Sequence, residues 1–419
     1  MKKDTMKKTG SVNQNTVIVA IDIGKTVHYG YLRGPDGRDV KPFPFHNSAK
    51  GFQKLWEETL AFKQKHHLEN IMAGFESTGP YAEPLLHFLS KKPVKLVQVN
   101  PMHTKRLKEL TGNSPNKTDA KDPKVIADII SLGHALTVVI PEGPAAELRK
   151  LAHARERAIK QRTSMVNQLQ RLLSVVFPEF LQVMKNVKTK TALYLLKRHP
   201  GRQDIVALGR GPLAALLSRT SMGKIGQERA SCLFEAARGS IGASEGSESI
   251  FMETRHLVDT IEGQTKFIRH MEERMAEHLR EITYSPNILS VNGIGIVTAA
   301  GLIGEVGDFF KFSTVSEIMK LAGLDLYEVS SGQHRGQRHI SKRGRPLLRK
   351  LLFYAAVKTV RSHGIMYGRY QQMLDRGMPK VKALVAIARR FLRIIFALVK
   401  NDTFYRDDYL QKNHMELAA

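Results

Sequence analysis

The segment Thr16 to Ile23 (TVIVAIDI) constrains the fold of this chain more than any other, because a short β-branched apolar run closes on an acid and a glycine, Asp22-Ile23-Gly24. β-Branched side chains sit well on a pleated surface, so the run reads as a strand. A second run, Val27–Leu32, leads into a turn at Gly34-Pro35-Asp36-Gly37, and a third strand follows around Val40–Phe45. Apolar residues separated by such turn chemistry mark a hairpin extended into a meander. Helical spacing takes over from Ala49 to Lys65, where Phe52, Leu55, Trp56 and Leu60 share a face. Strand and helix then alternate through Asn70–Phe75, Tyr81–Leu89, Val94–Val99 and Pro101–Leu110.

A three-strand meander followed by alternation predicts an α/β ribonuclease H-like (RuvC-like) domain over residues 16–140, after a disordered basic tail at 1–15. A Rossmann dinucleotide site is excluded, since no G-x-G-x-x-G follows the first strand. Residues 144–285 form a long, coiled-coil-like helical middle: Pro144 to Phe177 and Phe251 to Ile282 are charged helices that pair with each other or with a partner subunit. The Gly-punctuated stretch 178–243 between them reads as an inserted lobe. Residues 286–410 form a basic, mostly α C-terminal domain.

The chain carries 65 Lys and Arg against 39 Asp and Glu, a formal net charge of +26. The excess is concentrated: Ser331 to Lys400 holds 17 basic residues and one acid, Asp375. Such self-repulsion is best tolerated by a protein whose usual partner is a polyanion. An anionic membrane would demand a basic amphipathic helix or a lipid anchor, and neither is evident. The single cysteine, Cys232, excludes an intramolecular disulfide framework and a cysteine zinc site. There is no apolar secretory segment near Met1 and no run of the ~18 apolar residues that a membrane span needs, so a cytoplasmic location is expected.

Four carboxylates stand where chemistry is expected. Asp22 ends the first strand, Glu76 ends a later one in Gly74-Phe75-Glu76-Ser77-Thr78-Gly79, and Asp119 and Asp122 lie three apart, read as the first turn of one helix. Brought together they would repel unless a cation sat between them, and hard oxygen ligands suit Mg²⁺, two ions of which can hold the attacking and leaving oxygens of a phosphodiester. Taken singly, each acid is equally a turn or cap residue.

In the C-terminal domain, Asn292-Gly293-Ile294-Gly295 reads as the turn of a helix-hairpin-helix, with Gly293 and Gly295 letting backbone N–H groups approach a DNA phosphate, the alternative being an ordinary αα-hairpin with a packing role. Ser330-Ser331-Gly332 precedes a basic stretch (QHRGQRHISKRG) in which Arg335, Arg338, Lys342 and Arg343 supply a positive field and Ser341 N-caps a helix beginning near Lys342. On residue chemistry alone, a serine in a basic loop is more often a phosphate contact than a nucleophile. Further on, Phe391, Leu392, Ile394, Ile395, Leu398 and Val399 read as core and Arg389, Arg390 and Arg393 as phosphate contacts.

The strings I-D-I-G-K, F-E-S-T-G-P-Y and N-K-T-D-A-K-D, with the later Ser-Gly pair upstream of S-K-x-G, resemble the bridge-RNA-guided insertion-sequence transposases. These DEDD-type serine recombinases are related to the pilin-gene invertases. The resemblance covers residues 16 to about 135 and resumes at about 285. It implies that Asp22, Glu76, Asp119 and Asp122 hold Mg²⁺, with Lys117 contacting nucleic acid beside them. It implies that Ser331, with Ser330 as the alternative, attacks a DNA phosphodiester. It also implies double-stranded DNA substrates, a structured guide (bridge) RNA, and dimers that assemble into a tetramer. Two other readings stay open: a metal-dependent RuvC-like nuclease in which water attacks, and a non-catalytic nucleic-acid-binding protein. Against the resemblance, Asp325-Leu326 stands where a proline is expected after Gly323, and the 178–243 insertion exceeds that of compact members.

Overall fold

The computed structural model describes residues 12–76, 79–111, 122–328, 336, 338–362 and 364–406. The chain divides into two compact units: one takes the chain up to residue 142 with residues 286–294 and those from 305 onward, the other takes 143–285 and 295–304.

The first unit begins with the expected meander, β1 (Thr16–Asp22), β2 (Val27–Arg33) and β3 (Phe43–His46). Then follow α1 (Ala49–Lys65), β4 (Asn70–Glu76), α2 (Glu83–Ser90), β5 (Lys95–Val99), α3 (Pro101–Thr111), α4 (Asp122–Ser131) and a short β6 (Leu136–Thr137) that the sequence pattern did not reveal. The sheet order is β3-β2-β1-β4-β5-β6. β1 runs antiparallel to β2 and parallel to β4, β4 runs parallel to β5, and β6 closes the edge antiparallel. The N-terminal part is therefore a mixed α/β sheet, and the rest of the chain is mostly helical.

β1 is central and apolar at nearly every position because helices cover both its faces. Val17, Val19 and Ile21 join the core under α1 and α2 with Phe52, Leu55, Trp56, Leu85 and Leu89, whereas Ile18 and Ala20 join Val125, Ile126, Ile129 and Ile130 of α4. Those four side chains form one face of α4, and each buried Val or Ile contributes roughly 1.5–3 kcal/mol. Gly74 lets α4 come close, since a Cβ there would sit 2.4 Å from the Ile130 side chain and 2.8 Å from that of Val97. Arg33 of β2 pins the same helix through an ion pair with Asp128. Its Nε also donates to the Tyr31 hydroxyl at 3.1 Å. Burial and the bond to Asp39 push the Tyr31 phenol up to about 12.

The second unit is framed by α5 (Pro144–Val176) and α11 (Ser247–Arg280). The two pair with each other along their length: Arg155 meets Glu272 at 2.7 Å, Arg162 meets Thr265 at 3.3 Å and Gln168 meets Glu253 at 2.6 Å, so they run antiparallel. Between them lie α6 (Pro178–Val183), α7 (Lys190–Arg198), α8 (Arg202–Leu208), α9 (Arg210–Ser221) and α10 (Gln227–Arg238). These five pack into one core with the adjoining ends of the long helices, through Leu169, Leu173, Leu195, Leu213, Leu233 and Ile261.

A short helix, α12 (Ser285–Leu289), leads to α13 (Ile296–Val306) and α14 (Val315–Ala322). A small hairpin, β7 (Leu326–Tyr327) with β8 (His339–Ile340), precedes α15 (Pro346–Thr359), α16 (Tyr367–Asp375) and α17 (Lys380–Lys400). Phe391, Leu392, Ile395, Leu398 and Val399 of α17 are buried as expected, and Ile394 is half-buried. Among the described residues no helix is long and apolar enough to cross a membrane.

Candidate active site

The parallel register of β1 with β4 pairs Ala20 with Gly74 and Ile21 with Phe75, so Asp22 and Glu76 are the next residues on adjacent strands. Strand side chains alternate between faces, and the parity of Ala20 and Gly74 puts both acids on the face that α4 covers. α4 runs back along that face. Its Asp128 grips Arg33, which lies opposite Ile18, and Lys124 sits 5.6 Å over the Tyr31 ring, which lies opposite Ala20. Its first residue, Asp122, therefore points toward the carboxyl ends of β1 and β4. The expectation that Asp119 and Asp122 share a helical turn is corrected in part, because the helix begins at Asp122. Asp119 and Lys117 lie outside the described residues.

Helix α3 ties two of these acids together. Thr104, 2 % exposed, donates its hydroxyl to Glu76 Oε2 at 2.8 Å, with the Pro101 carbonyl at the same distance as a second acceptor. Lys108, one turn on, pairs with Asp122 at 2.7 Å. Residues four apart share a helix face, so Glu76 and Asp122 are held from one stripe of α3. On the other face of the sheet, His28 Nδ1 accepts the N–H of Gly24 at 3.1 Å and so fixes the loop that follows Asp22. Burial lowers the basicity of that imidazole, against a smaller opposing contribution from Asn47.

Three oxygen-donor side chains at one end of a sheet are the donor set that a hard divalent cation takes, so the residue types fit Mg²⁺. Among the described residues, however, no group of three or more Asp, Glu, His or Cys is arranged to hold a metal, and the Asp122 carboxylate is engaged by Lys108.

Ser330, Ser331 and Arg335 lie outside the described residues, and the segments before and after them are bonded to each other. The chain at 341–345 crosses that at 321–325 through three backbone bonds: Ser341 donates to Asp325 at 2.9 Å, Lys342 to Gly323 at 3.0 Å and Arg345 to Leu321 at 2.7 Å. The crossing is possible because both strands carry glycine there. A Cβ on Gly344 would lie 2.5 Å from the Gly323 nitrogen, and one on Gly323 2.8 Å from the Lys342 carbonyl carbon. The hairpin above it is clasped by Arg338, which bonds Glu328 at 2.9 Å.

Ser341 is not a helix N-cap. The helix begins at Pro346, and Ser341 instead bonds the Asp325 carboxylate and accepts the Arg343 N–H at 3.3 Å. The crossing holds 341–345 out of helical conformation, with Lys342 in the left-handed region at φ 55°. The Lys342 and Arg343 side chains are exposed. Arg345 is an anchor, reaching the Glu305 carbonyl and, at 2.7 Å, the Val139 carbonyl. Gly293 adopts φ 100° against Thr359, and Gly295 precedes α13 with open space where a side chain would be.

Sequence reasoning missed Thr104, Lys108, His28 and Arg345. The four-residue spacing of Thr104 and Lys108 was a usable signal. Of the other two, Arg345 takes its role from carbonyls far away in the chain, and His28 from the Gly24 N–H four residues before it.

Residues 19–178 match a family model described as Transposase (DEDD_Tnp_IS110), and residues 285–371 match one described as Transposase IS116/IS110/IS902 family. The chain is 24% identical over 392 residues to the uncharacterised 43.6 kDa protein of insertion element IS110 of Streptomyces coelicolor, covering 93% of this chain and 95% of that protein. It is 22% identical over 396 residues to the uncharacterised 44.8 kDa protein of insertion element IS116 of Streptomyces clavuligerus, covering 94% and 97%. It is 24% identical over 294 residues to a probable family 20 transposase of Pseudomonas aeruginosa, covering 70% and 74%. With both ends of the chain matched to one family and with relatives aligned over nearly its whole length, the protein belongs to the IS116/IS110/IS902 family of insertion-sequence transposases, enzymes that cut and rejoin DNA.

Proposed function

We propose that strand cutting and rejoining by this transposase use a serine nucleophile beside a carboxylate-held metal site in a ribonuclease H-like (RuvC-like) domain. The observation that carries this reading is the register-matched pair Asp22 and Glu76 at the carboxyl ends of two parallel strands, with Asp122 starting the helix over the same face. The strand order, a meander joined to a parallel pair, supports the same reading. Asp22, Glu76, Asp119 and Asp122 would hold Mg²⁺, most simply two ions. Bound there, the cation would neutralise phosphodiester charge and polarise the scissile bond.

Ser331, with Ser330 as the alternative, belongs to the basic stretch of sequence between β7 and β8. Its oxygen attacks phosphorus, the bond from phosphorus to a sugar oxygen breaks, the seryl proton is given up, and the departing sugar oxygen takes one on. The product is a phosphoserine ester and a free hydroxyl. A new strand's hydroxyl reverses the step, so phosphoester replaces phosphoester and no ATP is needed. Lys117, Arg335, Arg338, Lys342 and Arg343 supply the positive field around the phosphate, and Ser341 braces the loop. Gly293 and Gly295, in a helix-hairpin-helix turn, present backbone N–H groups to DNA. Residues 16–140, 144–285 and 286–410 then serve as catalytic, helical and strand-transfer regions.

Base pairing by a structured guide RNA of the element would choose the DNA sites, leaving the protein to read shape and backbone. Recombination requires several cuts, which favours dimers that pair into a tetramer in the nucleoid.

The test uses a DNA substrate carrying an element end, Mg²⁺ and denaturing gels. A protein–DNA adduct is expected, lost in Ser331→Ala, with cleavage falling on the order of a thousandfold in Asp22→Ala. Cleavage retained in Ser331→Ala but lost in Asp22→Ala would assign the attack to water. Binding without cleavage under every metal condition would leave a nucleic-acid-binding protein.

A further inference from the structure

Helix α15 carries two cations and two aromatics on one stripe: Arg349 and Lys350, then Phe353 and Tyr354 a turn later. The stripe is not covered by the core. Tyr354 is 55% exposed, and Phe353, Arg349 and Lys350 are half-buried. With Ile340 of β8 and Val385 of α17 these residues line a cleft of about 320 Å³ at the foot of the β7–β8 hairpin. The Lys350 ammonium lies 5.7 Å from the centre of the Tyr354 ring, and the Phe353 and Tyr354 rings meet edge-on at 6.2 Å. The Arg349 guanidinium is held in place by the Ala322 and Lys342 carbonyls, at 2.9 and 3.3 Å.

A second observation comes from α17. One turn beyond Val385, the Nε of Arg389 is buried and has no hydrogen-bond acceptor among the described residues, and the Nε of Arg390 is in the same condition. Buried donors are nearly always satisfied, so the Arg389 exception, one turn from the Val385 wall of the cleft, points to an acceptor supplied from outside. The acid within electrostatic reach of Arg389 is Asp325, whose carboxylate bonds the Ser341 hydroxyl and not the Arg389 Nε.

We propose that this cleft binds a single unstacked nucleotide of a nucleic-acid strand, its base against Tyr354 and Phe353 and its phosphate against the arginines. The cleft lies at the small end of ligand sites, which run from roughly 300 to 1,000 Å³, so it is matched to one base and not to a duplex groove. An aromatic face accepts any base, because every base has a π-face, and the cations take the backbone. In a paired duplex the base faces are stacked and out of reach. The proposal rests on the chain being a transposase and is independent of which group cuts the strand. It places, at the foot of the β7–β8 hairpin, a holder for a strand that has left its duplex.

The experiment measures binding of the full chain by fluorescence anisotropy to a short unstructured DNA strand, its RNA counterpart and the matching DNA duplex. Tyr354→Ala is expected to weaken binding to at least one of the single strands about tenfold, with duplex binding within about twofold of the unmodified chain. The arm that weakens says whether the strand is DNA or guide RNA. Tyr354→Phe, which keeps the ring, should restore affinity, and the salt dependence should stay the same in all three, since no charge is lost. Val385→Trp fills the cleft from its other wall and should weaken the same strand. Thermal melts check that each variant is folded. Equal weakening of strand and duplex, or no weakening of either strand by both Tyr354→Ala and Val385→Trp, overturns the proposal. The readout is strand binding and not adduct formation, so failure of the serine mechanism and failure of this site are read separately.

Discussion

The carboxyl end of the β1–β4 pair and the foot of the β7–β8 hairpin are built on opposite principles. At the first, functional side chains end regular elements, and neighbouring side chains from α3 hold them: Thr104 bonds Glu76 and Lys108 pairs with Asp122. At the second, backbone is laid against backbone, and the residues that make it possible, Gly323 and Gly344, contribute no side chain. A site of the first kind can be tuned one group at a time. A site of the second kind holds as a unit or fails as one.

The largest expected effect breaks the second region. In Gly344→Ala the added methyl would meet the Gly323 nitrogen and the Leu321 oxygen at 2.5 Å, and both are backbone atoms that cannot turn aside. A loss of about 3 kcal/mol is expected, seen as a lower melting temperature, with cleavage falling while Mg²⁺ binding by the carboxylates survives. Loss of Mg²⁺ binding as well would show that the two regions do not respond separately. An intermediate effect sharpens the first region. Thr104→Val keeps the shape but removes the donor to Glu76, and should weaken Mg²⁺ binding about 10- to 100-fold in calorimetry, with little change in melting temperature. Unchanged Mg²⁺ affinity would make Thr104 a packing residue. The smallest effect has the opposite sign. Lys108→Met frees Asp122 from a partly exposed pair worth about 0.2–1 kcal/mol, so Mg²⁺ should bind tighter by up to about fivefold. Weaker binding would mean that Asp122 needs Lys108 to hold its position.

The same contrast explains which parts were legible before the structure. β1, β2, α1, β4 and α3 were read close to their observed bounds, because their apolar residues repeat at strand or helix spacing and both faces of β1 are buried. β6 was missed because two residues paired at a sheet edge carry no periodicity. The helix start near Lys342 was misplaced because Ser341-Lys342-Arg343 has cap chemistry in sequence, while in the fold Asp325, sixteen residues earlier, takes the serine hydroxyl. Arg389 and Arg390 were read as phosphate contacts, and nothing in their spacing said that their Nε atoms would be buried without an acceptor.

What the sequence determined by itself is local. A β-branched apolar run at Thr16–Asp22 makes a strand, an acid stands at its end, and 17 cations against one acid in Ser331–Lys400 call for a polyanion. What only the tertiary structure decided is which distant residues meet. Glu76 finds Thr104, Asp122 finds Lys108, Arg345 finds Val139, and two glycines 21 residues apart let one strand cross another. Periodicity is set by neighbours three or four residues away. These contacts depend on how sheet twist and helix packing bring separate segments together, and no local pattern encodes that.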